Sequence, residues 1–155
     1  MGNFIVSLDP CGELAFPGPV LEKKGRVAAH VVQALTRRAA PGYLAYLRRR
    51  GVSYVFAGDE SFDCALLLEK LRTLFGIERL MVAGGGITNG SFLAEGLLDE
   101  LSLVVAPVAD GGRAASVFET APFHAAYPPQ AFSLLEARAL DGGALWLRYR
   151  AQKEA

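Results

Sequence analysis

A chain of 155 residues, 52% apolar and 21% charged with 17 glycines, describes one globular domain able to bury a core, and excludes a disordered polymer. Its 16 basic and 16 acidic residues cancel, so it lacks the electrostatic footprint of a nucleic-acid binder or of a protein held on an anionic membrane. No apolar run has the length of a membrane span, the N-terminus lacks the basic-then-apolar order of a secretory signal, and Cys11 and Cys64 stand in no metal or redox spacing, so a cytoplasmic protein with two reduced thiols and no metal is expected.

Phe4 to Leu8 reads as a short apolar strand that leaves through the turn residues Asp9-Pro10-Cys11-Gly12. Arg26 to Leu35, rich in Val and Ala, reads as a second strand ending at Thr36-Arg37-Arg38. A helix is expected from Ala39 or Pro41 to Arg50: proline suits a first turn, Leu44 and Leu47 share a face, three arginines favour the negative end of the helix dipole, and Gly51 stops it. Val52 to Ala57 is the next strand, closed by Gly58-Asp59.

Ser61 or Asp63 can cap a helix carrying Leu66, Leu67, Leu68, Leu71 and Leu74 at helical spacing as far as Gly76. Ile77 to Ala83 is then read as a strand running into Gly84-Gly85-Gly86 and a further helix. Strands alternating with helices over short connections imply parallel β–α–β units with right-handed crossovers. The rhythm changes after Leu101: an apolar strand leaves through Pro107 and Gly111-Gly112, an irregular stretch follows, and Phe132–Ala139 and Ala144–Arg150 alternate around Asp141-Gly142-Gly143 as a terminal antiparallel hairpin.

The glycine triplet carries the strongest chemical signal. Glycines let backbone approach a ligand closely, and the helix start behind them leaves unpaired N–H groups facing any anion. A tight bend with no ligand is the competing reading, because the triplet alone has neither the dinucleotide nor the Walker spacing.

The block from Leu80 to Gly112 decides between them by resemblance. An apolar strand, Gly84-Gly85-Gly86, Asn89-Gly90-Ser91, a short helix, Gly96-Leu97-Leu98-Asp99-Glu100-Leu101, an apolar strand and Pro107 before glycine stand in the order found in the C-terminal reductase domain of the riboflavin-biosynthesis deaminase/reductase. The chain therefore resembles a dihydrofolate-reductase-like family, with a looser likeness over most of its length. The resemblance implies a single α/β domain over residues 1–155, with a mixed, mostly parallel sheet flanked by helices and finished by the antiparallel hairpin. It further implies a homodimer, an NADPH cofactor and a small-molecule substrate.

By the same resemblance Gly84, Gly85, Gly86, Ile87 and Thr88 take the pyrophosphate of NADPH. Thr36, Arg37 and Arg38 occupy the place where a hydroxyl and arginines recognise the adenosine 2′-phosphate, the arginine fork being suited to phosphate. The alternative for the two arginines is a pair of solvated charges opening a loop. Asp59 is a weaker candidate for a cofactor contact and reads first as a turn or capping residue, and Asp99-Glu100 reads as structural or as part of an interface, since neighbours on a strand point to opposite faces. His30 is expected as a satisfied core histidine, His124 as a surface one, and Trp146 in a core or dimer interface.

Two departures qualify the likeness. The family typically carries Glu immediately before the glycines, facing the substrate, where this chain has Ala83. The family also opens with a strand–helix–strand unit that this sequence does not match, so a truncated domain is expected. No catalytic residue is assigned. The expected function is an NADPH-dependent reductase delivering hydride to a C=N or C=O bond of a small heterocyclic or ribosylamine substrate. The alternatives are a catalytically incompetent homologue that keeps a dimerising scaffold and part of the nucleotide site, and a plain phosphate-binding domain.

Overall fold

A computed structural model describes residues 2–109, 111–112, 114–125 and 127–153. They form two compact units, Met1–Leu80 and Met81–Ala155.

The first unit is built on β3 (Ala29–Leu35), whose residues are all buried except the half-buried His30. Strand β1 (Phe4–Leu8) pairs with it in parallel, Phe4 opposite His30 and Leu8 opposite Ala34. On the other edge β4 (Ser53–Phe56) runs parallel to Val32–Leu35, and the two-residue β2 (Val20–Leu21), absent from the sequence reading, pairs antiparallel with Ala29 and His30. A strand buried on both faces needs cover on both. Helix α1 (Pro41–Arg50) supplies Leu47 to a core with Val31, Leu35, Ala39 and Val52. Helix α2 (Cys64–Phe75) serves the other face, where Phe75 and His30 both meet the ring of Phe4 edge to face at 5.8 and 6.0 Å.

The helix limits follow local chemistry. Proline opens α1, and Gly51 closes it at φ 68°, a left-handed conformation that glycine adopts without a Cβ penalty. Asp63 caps α2, its carboxylate accepting from Leu66 N at 2.7 Å, and Gly76 ends it in the same left-handed geometry. The turn after β1 is clamped by Asp9, whose buried carboxylate accepts from the amides of Glu13 and Leu14 at 2.9 Å. The Tyr43 hydroxyl shares its proton between Asp9 Oδ2 at 3.1 Å and Leu14 O at 2.6 Å.

The strand expected over Ile77–Ala83 is a correction. No strand forms there: Ile77 N closes the end of α2 on Leu71 O, no described strand pairs with the residues that follow, and Met81 is 85% exposed. Apolar composition supplies the side chains of a strand, but a strand exists only with a ladder partner for its backbone groups.

The second unit opens with α3 (Gly86–Ala94) and continues in a three-stranded antiparallel sheet of order β5 (Glu100–Val105), β7 (Leu145–Ala151), β6 (Phe132–Ala139). The expected terminal hairpin is β6–β7, joined by a 3₁₀ turn at Asp141–Gly143 and bulged between Leu134 and Glu136. Register places Leu101, Leu103, Val105, Leu134, Leu145, Leu147 and Tyr149 on one face. Trp146 lies on the opposite, charged face, with Arg138 4.5 Å and Arg148 5.8 Å from its ring and its indole N–H donating to Ser102. Of the two places expected for Trp146, core or dimer interface, the core is thus corrected: its register aligns it with arginines.

Candidate functional site: a glycine turn at a helix start and an arginine loop at strand ends

The triplet does not need glycine for its backbone angles. Positive φ occurs at eight described glycines, and Gly84, Gly85 and Gly86 are not among them. What distinguishes the three is the space beside each α-carbon. A Cβ on Gly84 would stand 2.6 Å from Thr88, and one on Gly86 would stand 2.6 Å from Ser116 O and 2.8 Å from the Glu119 side chain. A Cβ on Gly85 would meet nothing within 4 Å among the described residues.

Gly86 and Gly90 are small because the 116–119 segment crosses the start of α3. Glu119 N donates to Gly86 O at 2.9 Å, Asn89 Nδ2 donates to Val117 O at 2.9 Å, and the Glu119 carbonyl lies where a Gly90 side chain would be. Glu119 Oε1 is held by Ser116 N at 3.1 Å, and Ser91 Oγ bonds back to Ile87 O. Asn89 and Gly90 of the Asn89-Gly90-Ser91 motif therefore hold this strap, while Ser91 bonds within its own helix. The sequence carried no sign of it, because Ser116–Glu119 has neither periodicity nor a turn motif.

Helix α3 begins without a side-chain cap: Gly85 is its N-cap at φ −67°, and its first turn holds no acidic residue. The first amides of a helix have no intrahelical acceptor, so this end attracts anions, and Gly85 is where backbone stands open to them. Ile87 is 47% exposed beside it and Thr88 is half-buried against Gly84.

Thr36, Arg37 and Arg38 belong to the first unit, at the carboxyl end of β3. Thr36 is fully buried, and its hydroxyl donates to Pro10 O at 2.8 Å and accepts from Arg38 N at 3.4 Å, so it faces the protein. Arg37 and Arg38 are exposed. The Arg37 amide donates to Gly58 O and Asp59 O at 3.2 and 3.1 Å, its guanidinium carbon sits 5.1 Å from the Phe56 ring centroid, and its Nε lies 3.2 Å from Asp59 Oδ1. These groups line a cleft of about 430 Å³ with Ser61, Leu66 and Lys70 at the carboxyl ends of the parallel strands β3 and β4, where open α/β sheets place ligands.

The remaining candidates make contacts within the protein. Glu100 pairs with Arg148 at 3.0 Å and Arg150 at 4.0 Å, and Asp99 with Lys153 at 2.8 Å. His30 Nε2 lies 2.8 Å from Ser53 Oγ, a satisfied core position. His124 is not the surface residue expected: its side chain is mostly buried, 3.7 Å from Glu95 Oε1. Among the described residues no group of His, Cys, Asp and Glu could hold a metal ion, and no helix is long and apolar enough to cross a membrane.

Comparison with known proteins bears on what this arrangement belongs to. The profile of the RibD C-terminal domain family matches residues 20–145. The chain belongs to that family. Two curated relatives are named 2,5-diamino-6-ribosylamino-4(3H)-pyrimidinone 5′-phosphate reductase. The protein from Methanothermobacter thermautotrophicus is 44% identical over 85 residues, 55% of this chain and 38% of that protein. The one from Aquifex aeolicus is 34% identical over 114 residues, 72% of this chain and 49% of that protein. This RibD C-terminal domain thus spans less than half the length of either relative. Among solved structures, a pyrimidine reductase-like protein from Corynebacterium diphtheriae superposes with a TM-score of 0.79 at 16% identity, over 97% of this chain and 62% of that one. Acinetobacter baumannii RibD gives 0.62 at 20% identity, over 97% of this chain and 47% of that one. The two likenesses show the fold, in agreement with the mixed α/β architecture expected from the sequence.

Proposed function

We propose that this RibD C-terminal domain binds NADPH and serves hydride transfer to a C=N or C=O bond of a pyrimidinone ribosylamine phosphate or a similar small heterocycle. The observation that carries the reading is Gly85, the one member of the triplet whose missing side chain no atom of the described residues accounts for, at the uncapped start of α3. The reductase names of the curated relatives supply the substrate class.

The residues present fit the dinucleotide. Taken each by itself, Gly85 leaves backbone open to a pyrophosphate with the amides of Ile87 and Thr88 as donors, and Arg37 and Arg38 are exposed cations suited to a 2′-phosphate. When bound, NADPH supplies the hydride; the protein's share is to bind, orient and exclude water. In this reading Thr36 acts indirectly, its buried hydroxyl fixing the Arg38 amide and so the direction of the loop. Cytoplasmic location and a homodimer belong to the same proposal, the dimer supported by Leu134 and Leu145, which stay about half exposed on the apolar face of the antiparallel sheet.

The second reading, a homologue that binds nucleotide without catalysis, is favoured by Ala83 in place of the family's glutamate and by the residues before it, which form no strand. Calorimetric titration with NADPH and NADH, followed by a turnover assay on a pyrimidinone ribosylamine phosphate, separates the two. NADPH binding that weakens at least tenfold in Arg37→Ala/Arg38→Ala, with turnover, supports the reductase. Binding without turnover supports the second reading, and absence of binding rejects both.

A further inference from the structure

The cleft at the ends of β3 and β4 contains a carboxylate where the 2′-phosphate reading calls for positive charge. Asp59 Oδ1 lies 3.2 Å from Arg37 Nε, with both side chains largely exposed to an incoming ligand. The pairing is built into the backbone. The Arg37 amide donates to both Gly58 O and Asp59 O, and Gly58 holds its turn at φ 125° with its α-carbon against the Ser61 carbonyl, so the loop that carries Asp59 is anchored to the loop that carries Arg37. Phe56 supports the guanidinium from below, leaving its N–H edges as the groups that can turn to a ligand.

Carboxylates outnumber cations in the cleft: Asp59, Glu60 and Asp63 stand against Arg37 and Lys70, whose Nζ donates to Phe56 O at 2.5 Å. A phosphate at Arg37 either takes Nε from Asp59 or binds the terminal N–H groups, and in both cases sits beside a like charge. A ribose bearing free hydroxyls meets the opposite situation, since a carboxylate accepts from both.

We infer that Asp59 is a specificity-determining residue that competes with the 2′-phosphate for Arg37 and receives the ribose hydroxyls of NADH, so that this chain accepts both dinucleotides. The inference rests on the dinucleotide reading above and deepens it. It gives Asp59, read from the sequence first as a turn or cap residue and only second as a cofactor contact, a role in dinucleotide choice.

The test is calorimetric titration of the wild-type chain, Asp59→Asn and Asp59→Ser with NADPH, NADH and 2′-phosphoadenosine, at low and at high salt. Expected are wild-type affinities for the two dinucleotides within about fivefold of each other. Both variants should tighten NADPH and 2′-phosphoadenosine by about tenfold at low salt, weaken NADH, and lose most of the gain at high salt as exposed charges are screened. An unchanged NADPH-to-NADH ratio in both variants overturns the role of Asp59 and leaves the dinucleotide reading standing. Tightening of 2′-phosphoadenosine without binding of either dinucleotide keeps the competition at Arg37 and overturns the reductase. Failure of all three ligands to bind overturns both.

Discussion

The α-carbon of Gly86 faces the carbonyl oxygen of Ser116 so closely that a methyl group would stand 2.6 Å from it. Gly90 stands in the same relation to the Glu119 carbonyl, while Gly85, next in line, faces open space. One glycine-rich motif thus contains positions required by packing and one that packing does not require. Gly86→Ala and Gly90→Ala are expected to lower stability by about 1–3 kcal/mol, because backbone rather than a mobile side chain must yield. For Gly85→Ala the poorer cap and the stiffer unfolded chain oppose each other, so the expected net change is within about 0.5 kcal/mol. NADPH binding should nevertheless fall at least tenfold. Urea unfolding and calorimetry on the three variants check this, and a Gly85→Ala chain that binds NADPH normally would remove the pyrophosphate from this turn.

Tyr43 makes stability depend on alkaline pH. Burial, and then the hydrogen bond to the Asp9 carboxylate and its negative charge, push the phenol far above the ordinary tyrosine range near 10. The folded-state value is raised, so the stability gained from the neutral, bonded phenol is complete below about pH 10 and is lost as pH rises toward the folded value. Tyr43→Phe should cost about 1–2 kcal/mol at pH 7 by removing the hydroxyl shared between Asp9 and Leu14. It should also flatten the decline in stability above pH 10. Denaturant midpoints of both chains between pH 7 and 11 test it; parallel curves would contradict the assignment.

Elements whose stability is local were legible in the sequence. Pro41 to Gly51 and Asp63 to Gly76 carry their own start and stop chemistry, and the β6–β7 hairpin carries alternation on both sides of a glycine turn. Ile77–Ala83 failed because strand formation depends on a partner elsewhere. Likewise the sequence offered Gly84–Thr88 and Thr36–Arg38 as candidate positions without the contacts that differentiate their members. Thr36 turns inward to Pro10, Gly86 accommodates a strap, and Arg37 pairs with Asp59, each through a residue at least 20 positions away in the chain.

The cap of α2 offers a stability test independent of any ligand. Asp63 Oδ1 accepts from Leu66 N at 2.7 Å and satisfies one of the orphan amides of the first turn. Asp63→Ala should lower stability by about 0.5–2 kcal/mol, and Asp63→Ser should recover most of it. Loss of the same size in both variants would assign the effect to the carboxylate's charge at the helix end rather than to its hydrogen bond.

The antiparallel sheet gives the expected homodimer a specific surface. Leu101, Leu103, Val105, Leu134, Leu145, Leu147 and Tyr149 share one face, and Val105, Leu134 and Leu145 keep roughly half their surface exposed. Contiguous apolar area of this kind is costly in water, and a two-fold pairing buries it twice at once. Leu134→Lys combined with Leu145→Lys places charges on the outer strand and beside the hairpin turn, where exposed side chains affect folding by about 0.5 kcal/mol each. The wild-type chain is expected to elute as a dimer at micromolar concentration in size-exclusion chromatography with light scattering, and the double variant as a folded monomer. A wild-type monomer would contradict the homodimer, and a double variant that stays dimeric would move the interface off this face.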